Sequence, residues 1–331
     1  MCIRDSMKEA SFWRPLEDGK VRCELCPHAC VLAPGGKGFC RVRYNEEGKL
    51  YNASYGALTA MNPDPIEKKP LFHFKPGSTV YSIGTFGCNL ACDFCQNHEI
   101  SQGNPNYIQR SPEEIVKDSE RFDCIGIAFT YSEPITWIEF VLDVSKLNSG
   151  YNILVTNGYI NEDPLEELIK HIDAANVDIK GDDRFYRKLC HSPYIDIANN
   201  VKTIFDSGVH VEVTNLLIPG YNDEESTIRT MIDELAAIST DIPVHFSRFF
   251  PHFKMKDTPP TPLAQLDKAY SIAKDAGMKH IYLGNVQGMK EDTYCPNCGT
   301  LLVKRSGFYI NDDKIADGKC PKCGEIVFGL W

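Results

Sequence analysis

The sequence predicts an α/β protein organised on a parallel sheet, with a small cysteine-rich module on either side. Three observations lead there. Short apolar runs recur between residues 79 and 283. Stretches with helical start signals fall between them. The 14 cysteines gather into clusters before, within and after that repeat.

The elements follow in order. Residues 7–62 read as loop-rich, with Pro34-Gly35-Gly36-Lys37-Gly38 between cysteines and little periodicity. Residues 63–78 form a proline-spaced connector (Pro63, Pro65, Pro70, Pro76). Strands are expected at 79–84, 125–130, 151–156, 175–180, 209–216, 243–249 and 279–283. Most are continuous apolar runs, as in strands buried on both faces. Helices are expected at 112–121, 134–144, 164–172, 224–238 and 262–276. Ser111 offers an N-cap with Pro112 at the first helical position. Asp223 or Asn222 is expected to cap the fourth helix. Such alternation implies a parallel sheet. Six or seven strands are too few for a closed eightfold barrel, so an open doubly wound sheet and a partial barrel both fit. In either, chemistry belongs at the C-terminal ends of the strands. The expected division is an N-terminal cysteine-rich segment (7–65), the α/β body (66–290) and a C-terminal module (291–331).

Residues 1–6 are set aside. Met1-Cys2-Ile3-Arg4-Asp5-Ser6 back-translates to the end of a common sequencing adapter and is expected to be an assembly artefact.

Composition excludes several classes. Hydrophobic residues make up 43%, enough for a core. No apolar run approaches the roughly 18 residues needed to span a bilayer, and no signal-peptide pattern opens the chain. A cytoplasmic protein with no membrane partner is expected. Net charge is −10. Residues 8–50 carry eight basic and six acidic groups, and 295–331 carry five and four, so residues 51–294 hold −13. Nucleic-acid binders show a basic face, which makes a nucleic-acid partner unlikely.

The cysteines are tightly spaced, which in a cytoplasmic chain favours metals over disulfides. Cys88, Cys92 and Cys95 follow the first strand with CxxxCxxC spacing. Four thiolates usually hold a cubane iron–sulfur cluster. This loop offers three, leaving one iron open to a substrate or cofactor. Gly84 and Gly87 suit a tight turn over the strand end.

With Phe94 before the last cysteine, this loop resembles the radical S-adenosylmethionine (SAM) superfamily. The resemblance implies a partial (β/α)6 barrel, a [4Fe–4S] cluster, and SAM bound to the open iron. It implies reductive SAM cleavage to a 5′-deoxyadenosyl radical that abstracts hydrogen, with flavodoxin or ferredoxin as electron donor. Tyr131-Ser132-Glu133-Pro134 stands where the family has Gly-Gly-Glu-Pro against the methionine amino group. Thr156-Asn157-Gly158 and Asp178-Ile179-Lys180 resemble segments lining the SAM pocket in glycyl-radical activating enzymes. Lys180 suits the SAM carboxylate as a point charge, and Asp178 the ribose or Lys180 itself. Val155 departs from the pyruvate formate-lyase activator, which is acidic there; this argues against a bound cation.

A wider resemblance runs from about residue 20 to 331. Cys23-Glu24-Leu25-Cys26-Pro27-His28-Ala29-Cys30, Gly38-Phe39-Cys40-Arg41-Val42-Arg43, Asp64-Pro65-Ile66-Glu67-Lys68-Lys69-Pro70 and Glu212-Val213-Thr214-Asn215 carry it. They are similar to the AmmeMemoRadiSam system radical SAM enzymes, relatives of the pyruvate formate-lyase activators. This implies Memo-like and AMMECR-like partner proteins and leaves the substrate open. Activation of a glycyl-radical enzyme is the alternative. A metal-binding zinc-ribbon adaptor is the alternative from another class.

Two further clusters flank the body. Cys295, Cys298, Cys320 and Cys323 form two CPxCG knuckles with a strand-like stretch between them. They read as a zinc ribbon, with a rubredoxin-like iron site as the alternative. Cys23, Cys26, Cys30 and Cys40 enclose one short loop; zinc, a second iron–sulfur cluster and no metal all stay open. His28 reads as a neighbour of that site or a surface group, with a role as an alternative ligand also open. Cys190 reads as a buried thiol and Cys124 as core. Arg248 and His245 are candidate substrate contacts, with His73 and His252 near strand ends.

Overall fold

A computed structural model describes residues 8–331, so the opening adapter-like residues lie outside the described residues. Eight strands form the central sheet: β1 (Ala60–Pro65), β2 (Thr79–Gly84), β3 (Gly126–Phe129), β4 (Tyr151–Thr156), β5 (Ala174–Asp178), β6 (His210–Leu217), β7 (Val244–Arg248) and β8 (Ile281–Gly284). Their spatial order follows the chain without reversal. β2 to β8 are parallel, and β1 lies antiparallel on β2. A doubly wound sheet requires the strand order to reverse. Here every crossover advances in one direction, and right-handed crossovers then place all helices on one face. The edges β1 and β8 are not paired with each other. The fold is therefore a partial barrel with seven parallel strands and one antiparallel edge strand, the latter drawn from the expected N-terminal segment.

The longer helices are α1 (Pro112–Arg121), α2 (Ile138–Leu147), α3 (Glu162–Ile169), α4 (Ile197–Asp206), α5 (Glu225–Ile238) and α6 (Leu263–Asp275). Ser111 caps α1 in a reciprocal box with Glu114. The expected helix at 134–144 divides into a 3-10 turn (Pro134–Trp137) and α2. α4 had no counterpart in the sequence reading. Its buried face carries Asn200, whose amide donates to the Gly158 and Ile160 carbonyls at 2.9 and 3.0 Å. That polar residue interrupts the apolar stripe. Glu224, and neither Asp223 nor Asn222, precedes α5. Both expected caps turn back into their own loop: Asp223 accepts from Gly220 N and Asn222 from Ile218 N.

The N-terminal segment folds as two small antiparallel sheets, Lys8–Glu9 with Arg43–Glu46 and Lys49–Asn52, and Trp13–Pro15 with Val21–Cys23 and Val31–Leu32. The C-terminal module is a third, built from Thr293–Tyr294, Leu301–Ser306 and Tyr309–Asp313. It is clamped to the segment before β2. Arg305 donates to the Phe72 carbonyl at 2.7 Å, His73 Nδ1 to the Phe328 carbonyl at 2.6 Å, and Lys75 to the Trp331 carbonyl at 3.0 Å.

Beneath this clamp lies a buried network. Glu212 accepts from His73 N (2.7 Å), His210 Nε2 (3.0 Å) and His245 Nε2 (2.7 Å). Burial alone would raise the Glu212 carboxyl, but His210 and His245 hold it well below the usual carboxylate range. His73 and His245 thus sit near the N-terminal ends of β6 and β7, remote from the end where chemistry is expected. This corrects the reading of His245 as a candidate substrate contact. Among the described residues no helix is long and apolar enough to cross a membrane.

Candidate active site

The loop leaving β2 is held from three sides. Gly84 passes so close to β3 that a Cβ there would lie 2.6 Å from the Thr130 carbonyl. Gly87 has φ +88°, and a Cβ there would meet Val42 at 2.5 Å and the Cys40 carbonyl at 2.8 Å. Ala91 N and Asp93 N donate to the Cys190 and Leu189 carbonyls at 3.0 and 2.9 Å. The loop thereby lies along a π-helical turn, Tyr186–Cys190.

Cys88, Cys92 and Cys95 emerge from this loop. Their sulfurs do not all lie within 4.8 Å of one another. Leu90 N donates to Cys88 Sγ at 3.3 Å, and Ser101 Oγ lies 3.1 Å from Cys95 Sγ. Burial, reinforced by Glu133, pushes the Cys88 thiol well up. Both thiols are free, and a hydrogen bond with the buried Cys190 is the main cause of the raised pKa of Cys92, ahead of burial.

The neighbouring strand ends converge here. Glu133 is buried and accepts from Thr156 Oγ1 (2.7 Å), Asn157 N (2.8 Å) and Ile135 N (3.1 Å). Asn157 also reaches Cys88 Sγ at 3.7 Å and Asn89 Oδ1 at 2.8 Å. Lys180 pairs with Asp178 at 2.9 Å. Burial pulls the Lys180 ammonium down, but Asp178, Cys92 and Cys190 hold it well above the usual lysine range. A fixed cation and a carboxylate thus stand beside the cysteine loop. Ser132 Oγ is buried without a partner, and such a group calls for a ligand or water. Tyr131 has φ +68°, and its hydroxyl donates to Asp64 at 2.5 Å. Its side chain is committed away from the loop, while its carbonyl accepts from Asn97 at 2.7 Å. Phe94 is buried against Phe185, ring centroids 5.5 Å apart. The Lys180 ammonium, a buried acid and an orphaned hydroxyl beside the three-cysteine loop fit an amino-acid-bearing cofactor beside a cluster.

Burial raises the Glu133 carboxyl to about 7, against donation from Asn157, Thr156 and Ile135. In the unfolded chain it ionises near its ordinary 4.5. Between those values the folded protein holds the extra proton, so the ligand-free protein loses stability as pH rises through the window. The Glu133→Gln variant is expected to lose this part of the dependence. Thermal denaturation of both proteins from pH 4.5 to 8 checks it; parallel curves would refute it.

Sequence reasoning missed the supports of the loop. Arg41 donates to the carbonyls of Ser101 and Gln102, and Gln102 to that of Cys92. His28 Nε2 donates to the Asn89 carbonyl at 2.8 Å and stacks on Phe39. Lys254 and His191 both reach Asp93 Oδ1, at 2.9 and 2.8 Å. Nothing local marks Arg41, His28, His191 or Lys254, because their partners lie about 60 residues or more along the chain. Arg248 is at the C-terminal end of β7, where it donates to the Thr261 carbonyl at 2.8 Å. Cys124 is half-buried before β3, at the margin of the core.

The C-terminal sulfurs are gathered differently. Cys295, Cys298, Cys320 and Cys323 all lie within 4.8 Å of one another. Cys295–Cys323 and Cys298–Cys320 are 3.6 and 3.7 Å apart. Tetrahedral zinc with about 2.3 Å bonds places its sulfurs about 3.8 Å apart, so this group is consistent with a zinc ribbon.

Comparison with known proteins agrees with this geometry. The profile of the radical SAM superfamily matches residues 82–232. An uncharacterized protein of Methanocaldococcus jannaschii is 44% identical over 97% of this chain and 99% of its own. The 4-hydroxyphenylacetate decarboxylase activating enzyme of Clostridium scatologenes is 27% identical over 65% of this chain and 61% of its own. A radical SAM methyltransferase from Sphaerobacter thermophilus shares the fold at a TM-score of 0.50 and 14% identity, over 89% of this chain and 81% of its own. A superfamily that implies a [4Fe–4S] cluster and SAM thus coincides with three cysteines on one loop at a strand end: the chain belongs to the radical SAM superfamily and is an enzyme that acts by radical chemistry.

Proposed function

We propose that Cys88, Cys92 and Cys95 hold the [4Fe–4S] cluster and that SAM binds across the ends of β2 to β5. The observation that carries this reading is the convergence of Lys180, Glu133 and the unpartnered Ser132 hydroxyl on the cysteine loop. When bound, the cluster and SAM supply one-electron reductive cleavage and a 5′-deoxyadenosyl radical for hydrogen abstraction. The protein's own residues bind and orient. Lys180 holds the SAM carboxylate, with Asp178 fixing the ammonium. The Glu133 carboxylate and Ser132 hydroxyl hold the amino group, and Thr156 and Asn157 hold Glu133. Thr156 and Asn157 are therefore positioning residues. The buried loop keeps water from the reacting atoms. A flavodoxin or ferredoxin supplies the electron.

The substrate in this reading is a protein of an AmmeMemoRadiSam-type system, Memo-like or AMMECR-like. Likeness to a 4-hydroxyphenylacetate decarboxylase activating enzyme supports a second reading, activation of a glycyl-radical enzyme. Anaerobic reconstitution with iron, sulfide, dithionite and SAM tests the chemistry. 5′-Deoxyadenosine should form, and the Cys88→Ala/Cys92→Ala/Cys95→Ala variant should form none. Equal product from both would refute the reading. Deuterated partner proteins separate the substrates, since the abstracted deuterium appears in 5′-deoxyadenosine. Transfer from a glycyl-radical enzyme alone would favour the second reading.

The Cys295, Cys298, Cys320 and Cys323 group is proposed to hold one zinc and to stabilise the clamp described above. Metal analysis of the full chain should lose one equivalent on Cys320→Ser; unchanged zinc would refute the assignment.

A further inference from the structure

Cys190 is buried and free, and it takes no part in holding the cluster or SAM as proposed above. We propose that Cys190 is a positioning residue whose S–H donates to the Cys92 thiolate and so raises the reduction potential of the cluster that Cys92 helps to hold. It can play this part only if Cys88, Cys92 and Cys95 are the cluster ligands.

The fold brings this thiol to Cys92. Tyr186–Cys190 form a π-helical turn, which ends on His191 at φ +55°. Such turns are rare and gather at functional sites. The turn runs beside the cysteine loop. Ala91 N donates to the Cys190 carbonyl at 3.0 Å and Asp93 N to the Leu189 carbonyl at 2.9 Å, one on each side of Cys92. His191 Nε2 reaches Asp93 Oδ1 at 2.8 Å, and Ser192 Oγ donates to the Cys190 carbonyl at 3.3 Å. The backbone of Cys190 is thus pinned opposite Cys92, and the two side chains are hydrogen-bonded to each other. Cys190 is 0% exposed and Cys92 8%.

Chemistry fixes the direction of that bond. A cysteine bound to iron is a thiolate, with lone pairs and no proton, so Cys190 must be the donor. Lys180, which feels the charge of both sulfurs, has no acceptor to offer the Cys190 proton. The other two ligand sulfurs have donors of their own, Leu90 N at 3.3 Å on Cys88 and the Ser101 hydroxyl at 3.1 Å on Cys95. Cys190 supplies the third. Reduction adds negative charge to a cluster and its sulfurs, so a donor to a ligand sulfur favours the reduced form. Hydrogen bonds to the sulfurs are among the factors that set cluster potentials. Burial strengthens this bond, because the local dielectric is low.

The test compares the full chain with its Cys190→Ala and Cys190→Ser variants, each reconstituted anaerobically with iron and sulfide. All three should hold the same iron and sulfide. Redox titration is followed by electron paramagnetic resonance, on the reduced-cluster signal that Cys88→Ala/Cys92→Ala/Cys95→Ala lacks. Cys190→Ala should move the midpoint to a more negative value. At a fixed solution potential its ratio of reduced to oxidised cluster should fall about 2- to 10-fold, the worth of one hydrogen bond. Cys190→Ser keeps a donor and should recover part of the shift. A midpoint that is unchanged or more positive in Cys190→Ala would overturn the proposal. So would a shift that Cys190→Ser shares in full, which marks a packing effect, or iron lost from Cys190→Ala, which marks a ligand. Each of these leaves the cluster assignment standing. If the triple variant keeps the whole signal, that assignment fails and the role of Cys190 fails with it.

Discussion

Replacement of Glu139 by alanine is expected to destabilise the protein by about 3–5 kcal/mol. Glu139 and Arg43 form an ion pair with side chains 3% and 1% exposed. Glu139 also accepts from Ser11 N at 2.7 Å and from Asn52 at 2.7 Å. Its removal strips the buried Arg43 guanidinium of its counter-charge and takes an acceptor from the Asn52 amide, although Arg43 still donates to the Ser11 carbonyl and Asn52 to the Thr136 carbonyl. Breaking such a pair costs far more than its formation contributes. The pair joins the N-terminal segment to α2, so its loss should loosen that segment from the barrel. Urea denaturation of the two proteins checks the expectation, and an unchanged midpoint would sink it. Glu139→Gln keeps one acceptor and should fall between them.

The second large effect concerns Lys180. Lys180→Met is expected to raise the KM for SAM about 10- to 100-fold, the worth of a buried charge-assisted hydrogen bond. kcat should change much less, because the contact is made in ground and transition states alike. Lys180→Arg should recover part of the loss. Rates of 5′-deoxyadenosine formation over a range of SAM concentrations read both constants. An unchanged KM would place the carboxylate elsewhere and leave Lys180 as the partner of Asp178.

Much of this site was legible in the residues. CxxxCxxC after an apolar run placed Cys88, Cys92 and Cys95 at a strand end, because a buried parallel strand can only be an apolar run. The same logic located β2 to β8. What was hidden was long-range or polar where apolar residues were expected. Asn200 concealed α4 by hydrogen-bonding inward. Arg41 and His28 brace the cysteine loop across some 60 residues, and no periodicity encodes such a contact. His245 was visible as a residue near a strand end, but which end faced the chemistry depended on strand direction. Glu212 then decides its role, since a buried carboxylate surrounded by imidazoles is a structural charge centre.

The clamp joining residues 72–75 to 328–331 has a consequence for biosynthesis. His73 and Lys75 meet partners 255 and 256 positions later. Ribosomes work from the N-terminus at about 5–20 residues per second, so the floor of the barrel waits until residue 331 is made. The N-terminal cysteines and the central three leave the ribosome long before then. Any cofactor insertion before residue 331 is made would therefore take place in a barrel still open at its base.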